Sequence, residues 1–310
     1  MIQILNPGFL TSVQDQPRQG LARFGLSEAG PAAPLSFRIA NFLAGNEEPK
    51  PSLEVTLKPP RILFRAAAIL GFGGADFAWK LDGRLIDTRF PLEVRPGGTL
   101  QGDYCRTGLR GYIAFQGGLA LPPWHGSAAT HLQSQFGGQR LDRNAILPLP
   151  PPKALNQRRL REQPPPALLS NHLKTLRVVP GVHHSLFPPE ALSLLGGATY
   201  RVTEHSTRMA VRLEGLALPI VKEPIQSSGA WHGAIQVPSS GIPQVLGCEH
   251  PATGGYPILA SVIEADHEVL GQLRPREEIR FGIVSPRTAV ELLKRQESWW
   301  QSATGQGTPS

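Results

Sequence analysis

The chain has 310 residues and a formal net charge of +7 at pH 7, with 40% hydrophobic and 18% charged residues. This length is enough for two domains with cores of their own. No apolar run approaches the ~18 residues of a membrane helix, and residues 1–10 lack the basic start and long apolar core of a signal peptide. We therefore expect a cytoplasmic protein with no membrane association.

Positive charges are scattered along the chain, except for the run RRLR at residues 158–161. Nucleic-acid binding normally needs a clustered basic patch or a recognisable module, and the sequence shows neither. We predict no nucleic-acid partner. The net positive charge instead favours attraction of small anions or of an acidic protein partner.

Cysteines and histidines do not predict a metal site. Cys105 and Cys248 are too isolated for zinc and too few for a disulfide framework, so reduced thiols are expected. His183 and His184 are adjacent, but neighbours in an extended chain point in opposite directions, and no carboxylate stands at a ligand-like spacing.

The first candidate binding segment is a loop near the N-terminus. Residues 11–30 have almost no periodic apolar pattern, and loops of this length in compact domains are often functional. Gln14, Asp15 and Arg18 lie in it, and the planar guanidinium of Arg18 can bind a carboxylate or phosphate through two hydrogen bonds. An ion pair between Arg18 and Asp15 is the alternative.

The rest of the first half is predicted to be mostly strand. Apolar residues at positions 35, 39, 42 and 43 predict one helix over residues 33–44. Residues 53–115 contain short alternating apolar runs separated by turn signals such as Asp82-Gly83. Many short strands with little helix between them favour a barrel or a sandwich over a doubly wound sheet. The glycines in these runs lack the spacing of a nucleotide-binding loop.

Two features mark the end of this half. In the segment GSAAT at residues 126–130, Ser127 and Thr130 can donate hydrogen bonds to a bound oxyanion or can simply cap a turn. Seven prolines between residues 148 and 166 predict a linker. We therefore divide the chain into an N-terminal β domain at 1–147, a Pro-rich linker at 148–170, a C-terminal β-barrel domain at 171–284, a terminal helix at 285–300 and a disordered tail at 301–310.

A pair of arginines stands out in the second half. In an extended strand over residues 207–215, Arg208 and Arg212 share one face, so both guanidinium groups can reach one anion. Pairing of these arginines with Glu204 and Glu214 is the alternative.

Residues 225–257 form a glycine-rich stretch with the character of a binding surface. Six glycines and four prolines interrupt its short apolar runs, so its backbone must repeatedly adopt conformations that glycine tolerates best. Side chains able to bind an anion or a planar amide stand among them: Ser227, Ser228, His232, Gln236, Thr253 and Tyr256. Hairpins whose polar residues only complete the turns are the alternative.

Several segments together resemble one family. GAIQVPSSGIP and TGGYP, with TRMAVRLEG upstream, are similar to the biotin-dependent carboxyltransferase family, which includes the C subunit of bacterial 5-oxoprolinase and the second subunit of allophanate hydrolase. NPGFLTSVQDQPRQGLARFGLSEAG and YIAFQGGLALPPWHGSAAT resemble the opening and middle of that family, so the likeness covers about residues 1–283 in order. The resemblance implies a mainly β protein with two β-barrel-like, cyclophilin-like domains and a few short helices.

The sequence departs from the family pattern at several polar positions. Ala33 and Ser228 stand where the family usually has acidic residues, and Pro251 stands where it has Gln. Each lost carboxylate removes a candidate general base or cation ligand. The acidic candidates that remain are Glu249, Glu264 and Asp266.

The resemblance also implies an activity. Family members act with a smaller partner subunit, and in bacterial 5-oxoprolinase the assembly opens the lactam of 5-oxoproline to glutamate at the expense of ATP. The resemblance therefore implies that this chain is a hydrolase subunit for cyclic amides. Such a subunit is active only in a complex and uses ATP together with its partner subunits. The alternatives are a subunit for biotin-dependent carboxyl transfer or urea-type amidolysis, with biotin carried by another chain, and a non-catalytic regulatory or scaffolding relative.

The candidate site residues follow from these patterns. Glu249 and His232 are the catalytic candidates. The candidates for binding substrate or an anion are Arg18, Gln14, Asp15, Ser127, Thr130, Arg208, Arg212, Ser227, Gln236, Thr253, Gly254, Gly255 and Tyr256. Opening a cyclic amide requires donors at a developing oxyanion, and the ureido ring of biotin makes the same demand. We expect loops of both domains to meet around a small, negatively polarised ring compound.

Overall fold

A computed structural model describes residues 1–138, 140–154, 158–162, 174–221 and 225–305. The chain divides into two compact units. The first unit comprises Met1–Gln19, Ala29–Leu169 and Gln301–Ser310, and the second comprises Gly20–Glu28 and Ser170–Trp300. Short strands predominate in both, which confirms the prediction of a mainly β protein.

Two antiparallel sheets build the first unit. One sheet has six strands in the order Ile146–Leu147, Ile2–Asn6, Arg61–Phe64, Thr99–Gln101, Lys80–Leu81 and Arg84–Leu85. The other has five strands in the order Leu10–Gln14, Ser52–Thr56, Arg110–Phe115, Ala68–Gly74 and Leu92–Val94. Ile4 and Phe64 from one sheet and Leu53 and Ile113 from the other belong to one buried core, so this unit is a sandwich. A separate hairpin pairs Thr130–His131 with Phe136–Gly137.

The predicted helix is present at Pro34–Leu43 and packs on the five-stranded sheet. Its N-cap residue, Ala33, makes no side-chain cap bond. Instead, the main-chain N–H of Ala33 donates to Tyr112 Oη at 2.9 Å, and that hydroxyl donates to Glu54 Oε2 at 2.6 Å. A tyrosine from a neighbouring strand thus satisfies the main-chain N–H of the cap residue, which in a capping box bonds to a glutamate or glutamine of the first turn.

A closed seven-stranded barrel forms the second unit, which confirms the predicted barrel. Its strands follow the order Lys174–Pro180, Ile258–Val262, Ala234–Gln236, Gln244–Leu246, Ala210–Glu214, Thr199–Val202 and Glu278–Ile283. Lys174–Pro180 and Glu278–Ile283 close the barrel as a parallel pair. Leu176, Ile235 and Ile279 are fully buried, as expected for a barrel whose interior is filled by side chains.

Three further α-helices and three 3₁₀ turns complete the secondary structure of the described residues. These are the α-helices Ala191–Gly197, His267–Gly271 and Pro286–Thr304 and the 3₁₀ turns Ala22–Phe24, His184–Leu186 and Glu264–Asp266. None of the helices described is long and apolar enough to cross a membrane.

The predicted domain limits need three corrections. The terminal helix runs to Thr304, so the tail predicted from residue 301 begins too early; residues 306–310 lie outside the described chain. Part of the predicted linker is attached to the first unit, since Arg158 Nη1 donates to Asn46 O at 3.1 Å and Arg161 N donates to Ala303 O at 2.7 Å. Gly20–Glu28, predicted to be in the N-terminal domain, clusters with the second unit.

Candidate functional site

Five predicted binding residues of the first unit lie together where the end of the strand Leu10–Gln14 and the residues after it are bonded to residues 127–130. The loop predicted over residues 11–30 therefore begins only after Gln14, because the residues before it pair with the strand Ser52–Thr56. Asp15 Oδ2 accepts a hydrogen bond from Ala128 N at 2.9 Å. Ser127 Oγ donates to Gln16 O at 2.6 Å, and Thr130 Oγ1 donates to Val13 O at 2.8 Å. The hydroxyl protons of Ser127 and Thr130 are therefore used within the protein, so the turn-completing alternative is the one that the structure shows. The five residues are Gln14, Asp15, Arg18, Ser127 and Thr130.

Arg18 lies at the centre of this group and is 1% exposed. Its Nε donates to Trp124 O at 2.9 Å, and its Nη2 donates to Ser127 O at 2.9 Å and Ala129 O at 2.8 Å. Its guanidinium carbon lies 5.2 Å from the ring centroids of both Trp124 and Phe136. Among the residues described, main-chain carbonyls accept the hydrogen bonds of this guanidinium, and Asp15, the predicted alternative partner, acts on it through its charge. Burial lowers the pKa of Arg18, and the charge of Asp15 partly offsets that shift.

Gly137 makes room for the guanidinium. Its φ is +82°, and a Cβ built there would lie 2.6 Å from Arg18 Nη2 and 2.2 Å from Ala129 O. A larger residue at this position would therefore displace Arg18 from its carbonyl partners.

Two polar atoms in this group make no hydrogen bond within the described chain. Arg18 Nη1 and Gln14 Oε1 are both buried and have no hydrogen-bond partner among the residues described. The amide nitrogen of Gln14 is satisfied, since it donates to Ser12 Oγ at 3.1 Å and to Thr130 O at 3.2 Å.

The glycine-rich stretch of the second unit forms a two-stranded ribbon in which Ser228–Gly229 pairs with Thr253–Gly254. Gln236, which is 3% exposed, lies against it: a Cβ on Gly254 would be 2.8 Å from Gln236 Nε2. The side-chain oxygen of Gln236 accepts from Gln244 Nε2 at 3.2 Å, which directs the amide NH₂ toward Gly254. Ser228 Oγ is buried without a partner in the described chain.

Other predicted residues of this stretch are close by. Ser227 Oγ lies 3.7 Å from the place of a Cβ on Gly255. Thr253 and Tyr256 are exposed on the ribbon and the turn that follows it. The structure thus gathers five candidates of the second unit: Ser227, Gln236, Thr253, Gly254 and Gly255.

Arg208 and Arg212 do not share a face, so that prediction is wrong. The strand begins only at Ala210, which leaves Arg208 before it and Arg212 exposed along it. Arg208 is buried and forms an ion pair with Glu249, with Nε and Oε1 2.6 Å apart. Glu249, a catalytic candidate, is therefore a buried partner of an arginine. Neither predicted glutamate partner pairs with Arg208: Glu204 bonds to Arg276, and Glu214 lies 3.9 Å from Arg201.

The remaining titratable candidates differ in exposure. Asp266 is buried and makes a bidentate ion pair with Arg177, whereas Glu264 is exposed. His232 packs against His267 with ring centroids 4.1 Å apart. Burial lowers the pKa of His267 to about 4, with a smaller opposing effect of Asp266.

Sequence reasoning missed His267, Trp124 and Phe136. Each contacts a predicted residue from a distant part of the chain, and no local pattern signals such a contact. In the part of the chain that the structure describes, no three His, Cys, Asp or Glu side chains group as metal ligands. The expectation that loops of both domains meet around one ligand stays a prediction.

The site and fold place the chain in a known class. It belongs to the family of carboxyltransferase domains, subdomains A and B, whose model matches residues 24–283. It is 31% identical to the C subunit of 5-oxoprolinase from Haemophilus influenzae, over 96% of each chain, and 30% identical to that of Escherichia coli, over 97% of each. It is also 30% identical to urea amidolyase of Saccharomyces cerevisiae, covering 98% of this chain and 18% of that protein.

A solved structure shows the same fold. The crystal structure of Kluyveromyces lactis urea carboxylase matches with a TM-score of 0.87 and 28% identity, over 98% of this chain and 29% of that one. These comparisons confirm the family resemblance inferred from the sequence segments.

Proposed function

We propose that this protein acts as the C-type subunit of an ATP-dependent 5-oxoprolinase, which opens the lactam of 5-oxoproline to give glutamate. It works in the cytoplasm with a smaller partner subunit of the 5-oxoprolinase B or allophanate hydrolase 1 type. Catalysis occurs only in that complex, and ATP is used together with the partner subunits.

This proposal rests on the share of each relative's length that matches this chain. The two 5-oxoprolinase proteins match over 96% and 97% of their own length, whereas the region makes up 18% of the yeast urea amidolyase. The two relatives that share nearly their whole length with this chain are thus both named as parts of a 5-oxoprolinase. The identities are nearly equal, so identity alone does not separate the two activities.

The ribbon of the second unit supports the chemistry. When a lactam carbonyl is attacked, negative charge develops on its oxygen, and donors fixed in a buried place stabilise it best. Gln236 offers an amide NH₂ group whose orientation is set by Gln244 and by the absence of a side chain at Gly254. Ser228 offers a hydroxyl without a partner in the described chain. We assign these two groups to the carbonyl oxygen.

His232 is a better candidate for proton transfer than Glu249. The carboxylate of Glu249 is buried and bonded to Arg208, which leaves it poorly placed to take a proton from a substrate. His232 is only partly buried, and its ring is held by the neutral ring of His267. Proton transfer is therefore assigned to His232, with His267 as a positioning residue.

The test is an assay of the assembled complex. The chain is co-expressed with the smaller subunit and the lactam-opening subunit, and 5-oxoproline-dependent release of phosphate and glutamate is measured. Gln236→Glu replaces the donating amide by a carboxylate, so we expect kcat to fall about 100-fold. Gln226→Glu adds the same charge at an exposed neighbouring position and should leave kcat unchanged.

Two results would contradict the proposal. One is a correctly assembled complex that cleaves ATP equally with and without 5-oxoproline. The other is a Gln236→Glu complex as active as its Gln226→Glu control, which would remove the ribbon from the mechanism.

Urea-type chemistry is the second candidate function, and the structural match favours it. The K. lactis urea carboxylase superposes with a TM-score of 0.87. In that case the same ribbon would face the ureido ring of a biotin carried by another chain, because a ureido oxygen needs the same donors as a lactam oxygen. Urea-dependent ATP cleavage in the presence of a biotin carboxylase would then replace the 5-oxoproline dependence.

A further inference from the structure

The two ends of the barrel in the second unit differ in charge. The strand registers place the connections 181–198 and 237–243 at one end and the connections 203–209 and 263–277 at the other. Residues 203–209 contain two Asp, Glu, Lys or Arg residues and residues 263–277 contain six. By contrast, residues 181–198 contain Glu190 alone, and residues 237–243 contain none. We call the end with this low charge the apolar end.

Exposed apolar side chains gather at the apolar end. Two of them belong to the connection 181–198, and the others stand where the strands Ala210–Glu214, Ile258–Val262 and Glu278–Ile283 reach that end. They are between 44% and 64% exposed: Val182, Leu186, Leu216, Tyr256 and Ile283. The connections at the other end are described in full and expose no large apolar side chain to this degree. Exposed apolar patches of this kind mark interaction sites.

Hydrogen bonds fix the loops of the apolar end in place. His183 N donates to Ile258 O at 3.2 Å, and His183 Nδ1 accepts from Ile258 N at 3.1 Å. Leu186 N donates in turn to His183 O at 3.0 Å, so Val182 and Leu186 flank a segment that is tied to the barrel. A surface that is ordered before it binds loses little conformational entropy on association.

The amide assigned to the carbonyl oxygen of the substrate lies at the same end. Gln236 is the last residue of its strand and pairs with Ile258, the residue to which His183 is bonded. Because neighbouring strands are about 5 Å apart, the main chain of His183 lies roughly 10 Å from that of Gln236. A protein that covers the apolar end therefore stands beside the ribbon and Gln236.

A different subunit fits this surface better than a second copy of the chain. Joining two apolar ends would place both Gln236 sites inside the contact and leave a substrate no path to either. The core of a protein interface is depleted of charged residues, as this end is. The proposed function supplies a smaller partner subunit, and both 5-oxoprolinase relatives are named as one subunit of an assembly.

We propose that the smaller partner subunit docks on the apolar end of the barrel through an apolar face of its own. Val182 and Leu186 are the main contacts, and docking brings the partner to the edge of the Gln236 site. The identity of the partner rests on the proposed function.

Matched substitutions test the surface. Val182→Glu and Leu186→Glu each place a charge in the contact, so we expect the affinity of the full chain for the smaller subunit to fall at least about 30-fold. Val290→Glu, on the helix Pro286–Thr304, and Leu85→Glu, in the first unit, make the same changes at other exposed positions and should leave the affinity unchanged. Calorimetry with the purified smaller subunit measures the four affinities. Binding of both apolar-end variants as tight as that of their controls overturns the proposal.

Hydrogen exchange of the wild-type chain gives a readout that needs no variant. Binding of the smaller subunit should slow exchange at residues 181–187 and 255–258 and leave residues 203–209 unchanged. Protection confined to other parts of the chain overturns the proposal. Sedimentation of the chain alone tests the other occupant: a dimer that Val182→Glu dissociates and Val290→Glu does not would assign the apolar end to a second copy and also overturn the proposal.

The assay of the assembled complex tests the proposed function separately. A complex that forms through the apolar end but cleaves ATP equally with and without 5-oxoproline removes that function and leaves the docking surface. A complex that depends on 5-oxoproline but forms equally well with Val182→Glu and Leu186→Glu removes the docking surface and leaves the function.

Discussion

The regions around Arg18 and Arg208 bury the same side chain in two different ways. Arg208 is 5% exposed and meets the carboxylate of Glu249 at 2.6 Å. Arg18 is 1% exposed and meets carbonyl oxygens and two aromatic rings. Burial of a cation therefore does not by itself define a binding site, because the protein can supply the anion itself, as Glu249 does for Arg208.

The largest effect is expected for Glu249→Gln, which tests whether the buried Arg208 depends on its carboxylate partner. It leaves Arg208 buried without its carboxylate, and breaking a buried pair in this way costs about 3 kcal/mol or more. The free energy of unfolding from urea denaturation should fall by this amount. Glu204→Gln is the matched control, because its pair with Arg276 is exposed and worth less than about 1 kcal/mol. Equal losses in the two variants would show that Arg208 does not depend on its partner.

Acid should weaken the second unit through His267. Its folded-state pKa is about 4, below the ordinary value of 6.5, so the unfolded chain takes up a proton first as the pH falls. Stability is fully present above pH 6.5 and declines between about pH 6.5 and pH 4, by about 3 kcal/mol in all. Hydrogen exchange of barrel peptides at several pH values measures this decline. His267→Phe keeps a ring without the titration, and a decline that persists in this variant would contradict the assignment.

Ser127→Ala tests how firmly the carbonyls around Arg18 are held. The change removes the bond from Ser127 Oγ to Gln16 O and the bond from Ala129 N to Ser127 Oγ. We expect a loss of about 1–2 kcal/mol in the free energy of unfolding. Ser193→Ala is the control, because its hydroxyl bond to Glu190 O is exposed. A loss no larger than that of the control would mean that water replaces the missing bonds.

Arg212→Gln should have the smallest effect. Arg212 is exposed on the barrel strand and does not share the environment of Arg208. We expect a change in unfolding free energy of less than about 0.5 kcal/mol. The same variant, assayed in the complex, decides whether the sequence-based binding role of Arg212 survives: a large rise in KM without loss of stability would restore it.

Much of the fold could be predicted because local patterns determine it. The helix expected at residues 33–44 is found at Pro34–Leu43, and the Asp82-Gly83 signal sits between the paired strands Lys80–Leu81 and Arg84–Leu85. Apolar spacing and turn chemistry are local properties, so the sequence displays them directly.

The site was only partly predictable because its bonds are not local. The sequence offers Ser127 as a donor, but its acceptor is Gln16 O, 111 residues away. Arg208 likewise finds Glu249 across 41 residues, not the nearer glutamates. The sequence indicated which segments carry polar side chains, but not which of those side chains meet, since Arg208 and Arg212 were expected on one face and are not.

The assignment of Gly20–Glu28 to the second unit limits how the gene can recombine. Because neither unit is one continuous stretch of chain, a single recombination point cannot exchange one without carrying off part of the other. A gene fusion that keeps both units complete therefore has to carry the region as a whole. The yeast urea amidolyase, which matches 98% of this chain within 18% of its own length, has the organisation that such a transfer would leave.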